Sequence, residues 1–77
     1  MRIGFFPNMG KSTIMAVLKM AAHICREEQI EVYLPDDLER PDTYKVLQIP
    51  KEHVLPRPEI FKHIDVAFSF GGDGTII

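Results

Sequence analysis

Apolar residues follow two different spacings along the first part of the chain. Residues 2–6 are mostly apolar around a glycine, which indicates a strand buried on both faces, as in a parallel sheet. Residues 7–10 would end this strand. Apolar residues then recur at intervals of three and four, at Ile14, Val17, Leu18, Ala21 and Cys25. This spacing predicts a helix that begins at Ser12 or Thr13, whose hydroxyl can cap it, and that ends near Glu27.

The middle of the chain predicts a second strand followed by less regular structure. Apolar and more polar residues alternate over 30–34, which indicates a strand with one buried and one wetter face, near a sheet edge. An acidic loop over residues 35–41 follows, and Asp42 can cap a short helix that ends at Leu47. The prolines in and around residues 51–58 predict an irregular segment.

Two further elements complete the pattern. Residues 59–63 predict a short helix with Pro58 in its first turn. Residues 66–70 predict a third strand, central in the sheet. Its large apolar face is expected to belong to the core, together with Phe61; this face consists of Val66, Phe68 and Phe70. Strands that alternate with helices predict the α/β class, with a parallel sheet built from βαβ units.

Composition and charge exclude several classes of protein. Nine Lys and Arg against eleven Asp and Glu give a net charge of −2, without the basic surplus of a nucleic-acid-binding protein. No apolar run approaches the roughly 20 residues of a membrane helix, and no secretory signal is visible. The only cysteine, Cys25, suits a reducing, cytoplasmic compartment and is expected to be a buried thiol. A chain of 77 residues buries only about 60% of its unfolded surface, so we expect a partner or a larger domain.

A glycine-rich motif follows the last predicted strand, at the position where open α/β sheets bind ligands. The motif is Gly71-Gly72-Asp73-Gly74-Thr75. Its three glycines allow backbone amides to approach a phosphate or ribose closely. Asp73 is its only acid, and Thr75 offers a hydroxyl to the same site. The motif therefore predicts a nucleotide site with one carboxylate.

Two better-known glycine motifs are excluded by their spacing. Gly10-Lys11-Ser12 resembles the end of a P-loop, but the earlier glycine that this loop needs is replaced by Phe5. The dinucleotide fingerprint, counted from Gly72, would need a third glycine where Ile77 stands. His23, His53 and His63 lack metal-ligand spacing and are expected to be solvated or loosely packed.

The motif of residues 71–75 resembles the signature of the NAD kinase family and of its relatives, the diacylglycerol and sphingosine lipid kinases. The family also tends to place an asparagine soon after its first strand, here Asn8, and an aspartate before the third, here Asp65. The resemblance covers the whole chain as a pattern, but only the five-residue motif is specific. The lipid kinases have a proline after the asparagine of that turn, whereas Pro7 precedes Asn8 here, which favours NAD kinase.

The resemblance implies both a fold and a reaction. The fold is the N-terminal part of a Rossmann-like three-layer domain, residues 1–77, cut after its third strand and without the family's β-rich C-terminal domain. The reaction transfers the γ-phosphoryl group of ATP, or a phosphoryl group of polyphosphate, to the 2′-hydroxyl of the adenosine ribose of NAD, giving NADP. Asp73 would be the catalytic residue that orients or deprotonates this hydroxyl. The substrate-binding residues would be Gly71, Gly72, Gly74, Thr75 and Asn8.

The resemblance also implies the cofactor and partners. Mg²⁺ or another divalent cation would accompany the phosphates, with no metal ligand assigned to this chain. NAD and ATP are the expected partners, with a homo-oligomer in the full-length protein and neither nucleic acid nor membrane. The family's second motif, an asparagine followed by an acid, would lie beyond Ile77, so the 77-residue chain alone is expected to be inactive. The alternatives are a lipid kinase fragment and a non-catalytic nucleotide-binding module.

Overall fold

Strands and helices alternate along the chain in the computed structural model, which describes residues 1–70. The elements are β1 (Arg2–Pro7), α1 (Ile14–Glu27), β2 (Glu31–Pro35), α2 (Thr43–Val46), a 3₁₀ helix (Lys51–His53), β3 (Val54–Leu55), α3 (Arg57–Ile60) and β4 (Val66–Phe70). Within this part of the chain, no helix has the length and hydrophobicity needed to cross a membrane.

The strands form one parallel sheet in the order β3-β2-β1-β4. The predicted α/β class and parallel sheet are therefore confirmed. The prediction of three strands is wrong, because Val54–Leu55 pairs with the end of β2 inside the segment expected to be irregular. Residues 66–70 consequently form the fourth strand, and within the described sheet this strand lies at an edge rather than in the centre.

Helix α1 packs its predicted apolar stripe onto one face of the sheet. The core on this face contains Ile3 and Phe5 of β1, Val32 and Leu34 of β2, Ile14, Leu18, Ala22 and Cys25 of α1, and Leu47 and Ile49 after α2. Cys25 is buried as predicted, and its burial raises the pKa of the thiol. Val17 departs from the prediction, because its side chain is exposed.

Helices α1 and α2 have backbone capping motifs at their C-terminal ends but no side-chain caps at their N-terminal ends. Thr13 and Asp42 hold the N-cap positions, but neither side chain makes a capping hydrogen bond among the described residues. At the end of α1 the amide of Ile30 donates to Cys25 O over 2.8 Å, and Gln29 adopts a φ of 58°. This is a Schellman motif with glutamine in the position where glycine is usual.

The end of α2 repeats this arrangement. The amide of Ile49 donates to Tyr44 O over 2.8 Å, and Gln48 also has a φ of 58°. A side chain in this left-handed conformation costs roughly 1–2 kcal/mol. The same Gln-Ile pair therefore ends both helices, at a cost that glycine would avoid.

The opposite face of the sheet is covered by α3 and the turn after it. Gly4 of β1 faces Ile60 and Ile64, and Ile60 is fully buried. Helix α3 begins two residues before the predicted helix of residues 59–63, with proline in its first turn as expected. The sheet therefore lies between α1 and α2 on one side and α3 on the other.

Aromatic rings cover the part of this second face that β2 forms. Tyr33 stacks on His53 at a centroid distance of 4.2 Å and on His63 at 5.5 Å, while His53 Nδ1 donates to Val32 O. Tyr33 is consequently buried, so the expectation of a wetter face on this strand is wrong. β2 also lies between β1 and β3 rather than at the edge. Phe61 is 60% exposed, against the expectation that it belongs to the core.

Candidate functional site

The carboxyl ends of β1 and β4 lie side by side and are joined beyond the sheet. The backbone amide of Asn8 donates to Phe70 O over 2.7 Å, directly after the last paired residues, Pro7 and Phe70. The turn that begins at Asn8 is thus fixed next to the residue that precedes the glycine-rich motif. Parallel α/β sheets bind ligands at this edge.

Only one of the sequence-predicted site residues falls within the described part of the chain. Asn8 does, and it lies at the carboxyl edge, directly after β1. The others lie outside the described residues; they are Gly71, Gly72, Asp73, Gly74 and Thr75. The described site is therefore the surface that adjoins the motif.

Asn8 builds the turn with its own side chain. Its Oδ1 accepts a hydrogen bond from the amide of Gly10 over 3.0 Å, which is the geometry of an Asx-turn. A Cβ at position 10 would lie 3.2 Å from this oxygen, so glycine suits the turn. The amide nitrogen Nδ2 of Asn8 makes no hydrogen bond to any of residues 1–70, and the side chain is exposed. Asn8 can therefore offer Nδ2 as a donor to a ligand while Oδ1 holds the turn.

An ion pair joins the ends of β2 and β3 at the same edge. Arg57 Nε donates to both carboxylate oxygens of Asp37, at 2.9 and 3.2 Å. The guanidinium beside Asp37 holds the pKa of that carboxyl below its usual range. Both side chains are about half exposed, so the pair adds little to stability. Its effect is to hold the loop after β2 against the start of α3.

A pair of stacked rings adjoins this ion pair. Phe6 and Phe61 lie parallel at a centroid distance of 5.2 Å, and the Arg57 guanidinium carbon lies 5.7 Å from the centre of the Phe6 ring. The edge thus combines aromatic surface, a guanidinium and an amide donor, which are groups that can contact a base, a phosphate and a sugar. Arg57 is not among the site residues predicted from the sequence, and residues 35–41 were predicted only as an acidic loop. The only signal for it was an arginine between two prolines, Pro56 and Pro58.

Asp65 lies at the other end of the sheet. Its Oδ2 accepts from the amide of Arg2 over 2.9 Å, and its own amide donates to Arg2 O over 2.8 Å. These two bonds tie the beginning of β1 to the beginning of β4. The aspartate that the resemblance singled out before this strand therefore has a structural role.

A cleft of about 410 Å³ also opens at the end of the sheet where β2 begins. It lies between the C-terminal part of α1 and the segment after α2, where Arg26 Nη1 donates to Leu47 O over 2.8 Å. Glu52 and His53 line its rim. Because it does not adjoin the carboxyl edge, it is separate from the candidate site.

Metal-ligating side chains do not cluster in the described part of the chain. Within residues 1–70, no three His, Cys, Asp or Glu side chains are placed so that they could hold a metal ion. A magnesium ion that enters with nucleotide phosphates keeps several waters and needs one or two protein carboxylates. The divalent cation implied by the resemblance therefore does not require such a cluster.

Comparison of the chain with known proteins identifies no similar protein. The chain matches no protein-family model, and no curated protein or solved structure is significantly similar to it. The motif and the geometry of the carboxyl edge are therefore the features that indicate a function.

Proposed function

We propose that this chain is the N-terminal part of the Rossmann-like nucleotide-binding domain of an NAD kinase. The hydrogen bond from the Asn8 amide to Phe70 O is the observation that carries the proposal. It brings together two segments that are far apart in sequence, the Asn8 turn and the entrance to the glycine-rich motif. The resemblance selects both of them, and they meet at the edge of a parallel sheet where nucleotides bind.

In this proposal the motif of residues 71–75 positions the ribose and phosphates. Asp73 accepts a hydrogen bond from the 2′-hydroxyl of the adenosine ribose and takes its proton as the oxygen attacks the γ-phosphorus of ATP. The bond between this phosphorus and the β,γ-bridging oxygen breaks, so that ADP leaves and NADP forms. A divalent cation, when bound, neutralises charge on the transferring phosphates.

The described residues contribute to binding and orientation. Asn8 Nδ2 donates to a phosphate or ribose oxygen, because Oδ1 already holds the turn. Phe6 and Phe61 form the apolar wall of the edge on the α3 side. Arg57 is fixed by Asp37 beside that wall, so its charge lies close to where an anionic substrate would enter.

The proposal is tested with the full-length natural protein that contains these residues. The protein is incubated with NAD, ATP and Mg²⁺, and NADP is detected with an NADP-specific dehydrogenase. Asp73→Asn is expected to lower kcat by about 10²–10⁴, as for loss of a general base. Asp36→Asn removes the same charge from an exposed position at the same edge and is expected to retain activity within about twofold.

Two results would contradict the proposal. One is the absence of NADP, with either ATP or polyphosphate, from protein that is folded by circular dichroism. The other is an Asp73→Asn variant as active as Asp36→Asn. Phosphorylation of diacylglycerol or sphingosine by the same protein would assign it to the lipid kinases instead.

A further inference from the structure

The cleft of about 410 Å³ at the start of β2 has an apolar floor. Its volume lies at the lower end of the roughly 300–1,000 Å³ that is typical of small-molecule sites. The floor consists of core side chains that are more than nine-tenths buried, namely Ala22, Val32, Leu47 and Ile49. The cleft lies on the β2–β3 side of the sheet, diagonally opposite the carboxyl end of β4. The floor favours the apolar part of a ligand, which leaves water on binding.

A guanidinium group lines the cleft from α1. Arg26 Nη1 donates to Leu47 O over 2.8 Å, and this bond fixes the side chain beside the floor. No carboxylate of residues 1–70 forms an ion pair with Arg26. The remaining N–H groups of Arg26 can therefore donate to an anionic group in the cleft.

A carboxylate lines the same cleft from the 3₁₀ helix. Glu52 belongs to this helix, which is held against the sheet where His53 Nδ1 donates to Val32 O over 3.0 Å. Glu31 also lines the cleft but is already paired with Arg2, whereas Glu52 has no cationic partner in the described part of the chain. The Glu52 carboxylate can therefore accept hydrogen bonds from a cationic group.

We propose that this cleft binds a free α-amino acid with an apolar side chain. The ligand carboxylate accepts hydrogen bonds from Arg26, the ammonium group donates to Glu52, and the side chain lies on the apolar floor. An α-ammonium and an α-carboxylate group, each with a hydrogen bond of about 2.9 Å, together span about 8–9 Å. A sphere with the volume of the cleft is about 9 Å across, so both charges can be contacted at once.

The two opposite charges also determine which ligands are rejected. An apolar anion without an ammonium group meets the Glu52 carboxylate, and an apolar amine without a carboxylate meets the Arg26 guanidinium. Each leaves one charge of the cleft unpaired and brings a like charge close to it, which is how a site discriminates between related ligands. Such a site is independent of the proposed kinase activity, because it lies at the other end of the sheet from Asn8.

Saturation-transfer difference NMR tests the proposal on the full-length natural protein that contains these residues, with L-leucine as the probe. Saturable binding is expected with a dissociation constant on the order of 1 mM, as for a ligand of few atoms in an open cleft. Two analogues each lack one charge: 4-methylpentanoate has no ammonium group, and 3-methylbutylamine has no carboxylate. Each is expected to bind about tenfold more weakly than L-leucine.

Variants assign the binding to this cleft. Glu52→Gln is expected to weaken L-leucine about tenfold and to leave 4-methylpentanoate unchanged, because only the ammonium contact is lost. Arg26→Gln is expected to weaken L-leucine to a similar degree and to leave 3-methylbutylamine unchanged. Glu39→Gln is the matched control, since it makes the same change at an exposed position in the loop after β2 and should not affect binding.

The unchanged analogue in each variant distinguishes a lost contact from a distorted cleft, and far-UV circular dichroism of the same samples establishes folding. Three results would overturn the proposal. One is the absence of saturable L-leucine binding up to about 20 mM. Another is equal binding of L-leucine and its two analogues. The third is equal weakening of L-leucine by Glu39→Gln and Glu52→Gln.

Discussion

Replacement of Gly4 by alanine tests how closely the α3 segment packs on β1. An alanine Cβ would lie 2.8 Å from Cδ1 of Ile64 and 3.1 Å from Cγ2 of Ile60. Packed carbon atoms lie about 3.5–4.0 Å apart, so both contacts are too short by several tenths of an ångström. Ile60 is fully buried and cannot turn into solvent, whereas the end of Ile64 has more freedom. The substitution therefore forces the turn after α3 outward.

The expected loss of stability follows from two opposing effects. Overpacking of a well-filled site costs about 1–3 kcal/mol. Alanine also lowers the conformational entropy of the unfolded chain relative to glycine, and this effect stabilises the folded state by about 0.4–1 kcal/mol. The net free energy of unfolding should consequently fall by about 1–2 kcal/mol, and the Tm by about 5–15 °C for a domain of this size.

Thermal and urea unfolding, followed by circular dichroism, measure this loss. Ile64→Val removes the Cδ1 atom that lies closest to the new methyl group. In a double-mutant cycle it should reduce the penalty of Gly4→Ala by about 0.5–1 kcal/mol. A Gly4→Ala variant as stable as the wild type would refute the reasoning, since α3 would then not be held tightly against β1.

Two further predictions concern helix ends and the ion pair. Gln29→Gly and Gln48→Gly should each stabilise the fold by about 1 kcal/mol, because glycine adopts the left-handed conformation without strain. Urea unfolding measures this gain, and a variant less stable than the wild type would contradict the prediction. Arg57→Gln should raise the pKa of Asp37 back towards its usual value, which NMR titration of the carboxyl carbon measures. The small stabilisation that the pair contributes is present above the usual aspartate pKa of about 3.9 and is lost as the pH falls through the lowered value. Wild type and Arg57→Gln should therefore converge in stability in acid, and an unchanged Asp37 titration in the variant would count against the pair.

The long elements could be predicted from the sequence because each has its own hydrophobic period. The stripe of α1 continues for four turns, and its end near Glu27 agrees with the structure. The apolar runs of β1 and β4 are equally local signals. The outline of the α/β sheet therefore follows from spacing alone.

The errors arise where a residue's environment is set by distant parts of the chain. Val54–Leu55 is too short to show a period and is a strand only because the end of β2 lies beside it. Tyr33 alternates with apolar residues and was expected to be wetter, but His53 and His63 cover its ring. No local pattern could show that these three rings stack.

The candidate site was predictable to a similar degree. Asn8 was selected through the family resemblance, and the turn around it agrees with its Asn and Gly content. The pairing of Asp37 with Arg57 could not be foreseen, since it requires β2 and β3 to be neighbours in the sheet. The role of a residue within a single turn could be predicted from the sequence. The role of a residue that pairs with a distant part of the chain could not.

The strand order also determines when the sheet can be completed. β1 is made before the other three described strands, yet one of its edges stays open until β4 arrives, since Ile3 pairs with Val66. Such contacts between distant residues slow folding, because a long loop must close before they form. The β1-α1-β2 unit can assemble as soon as it leaves the ribosome, with an unpaired strand edge that is prone to aggregation. Among the four described strands, the one that leads into the glycine-rich motif is therefore the last to join the sheet during synthesis.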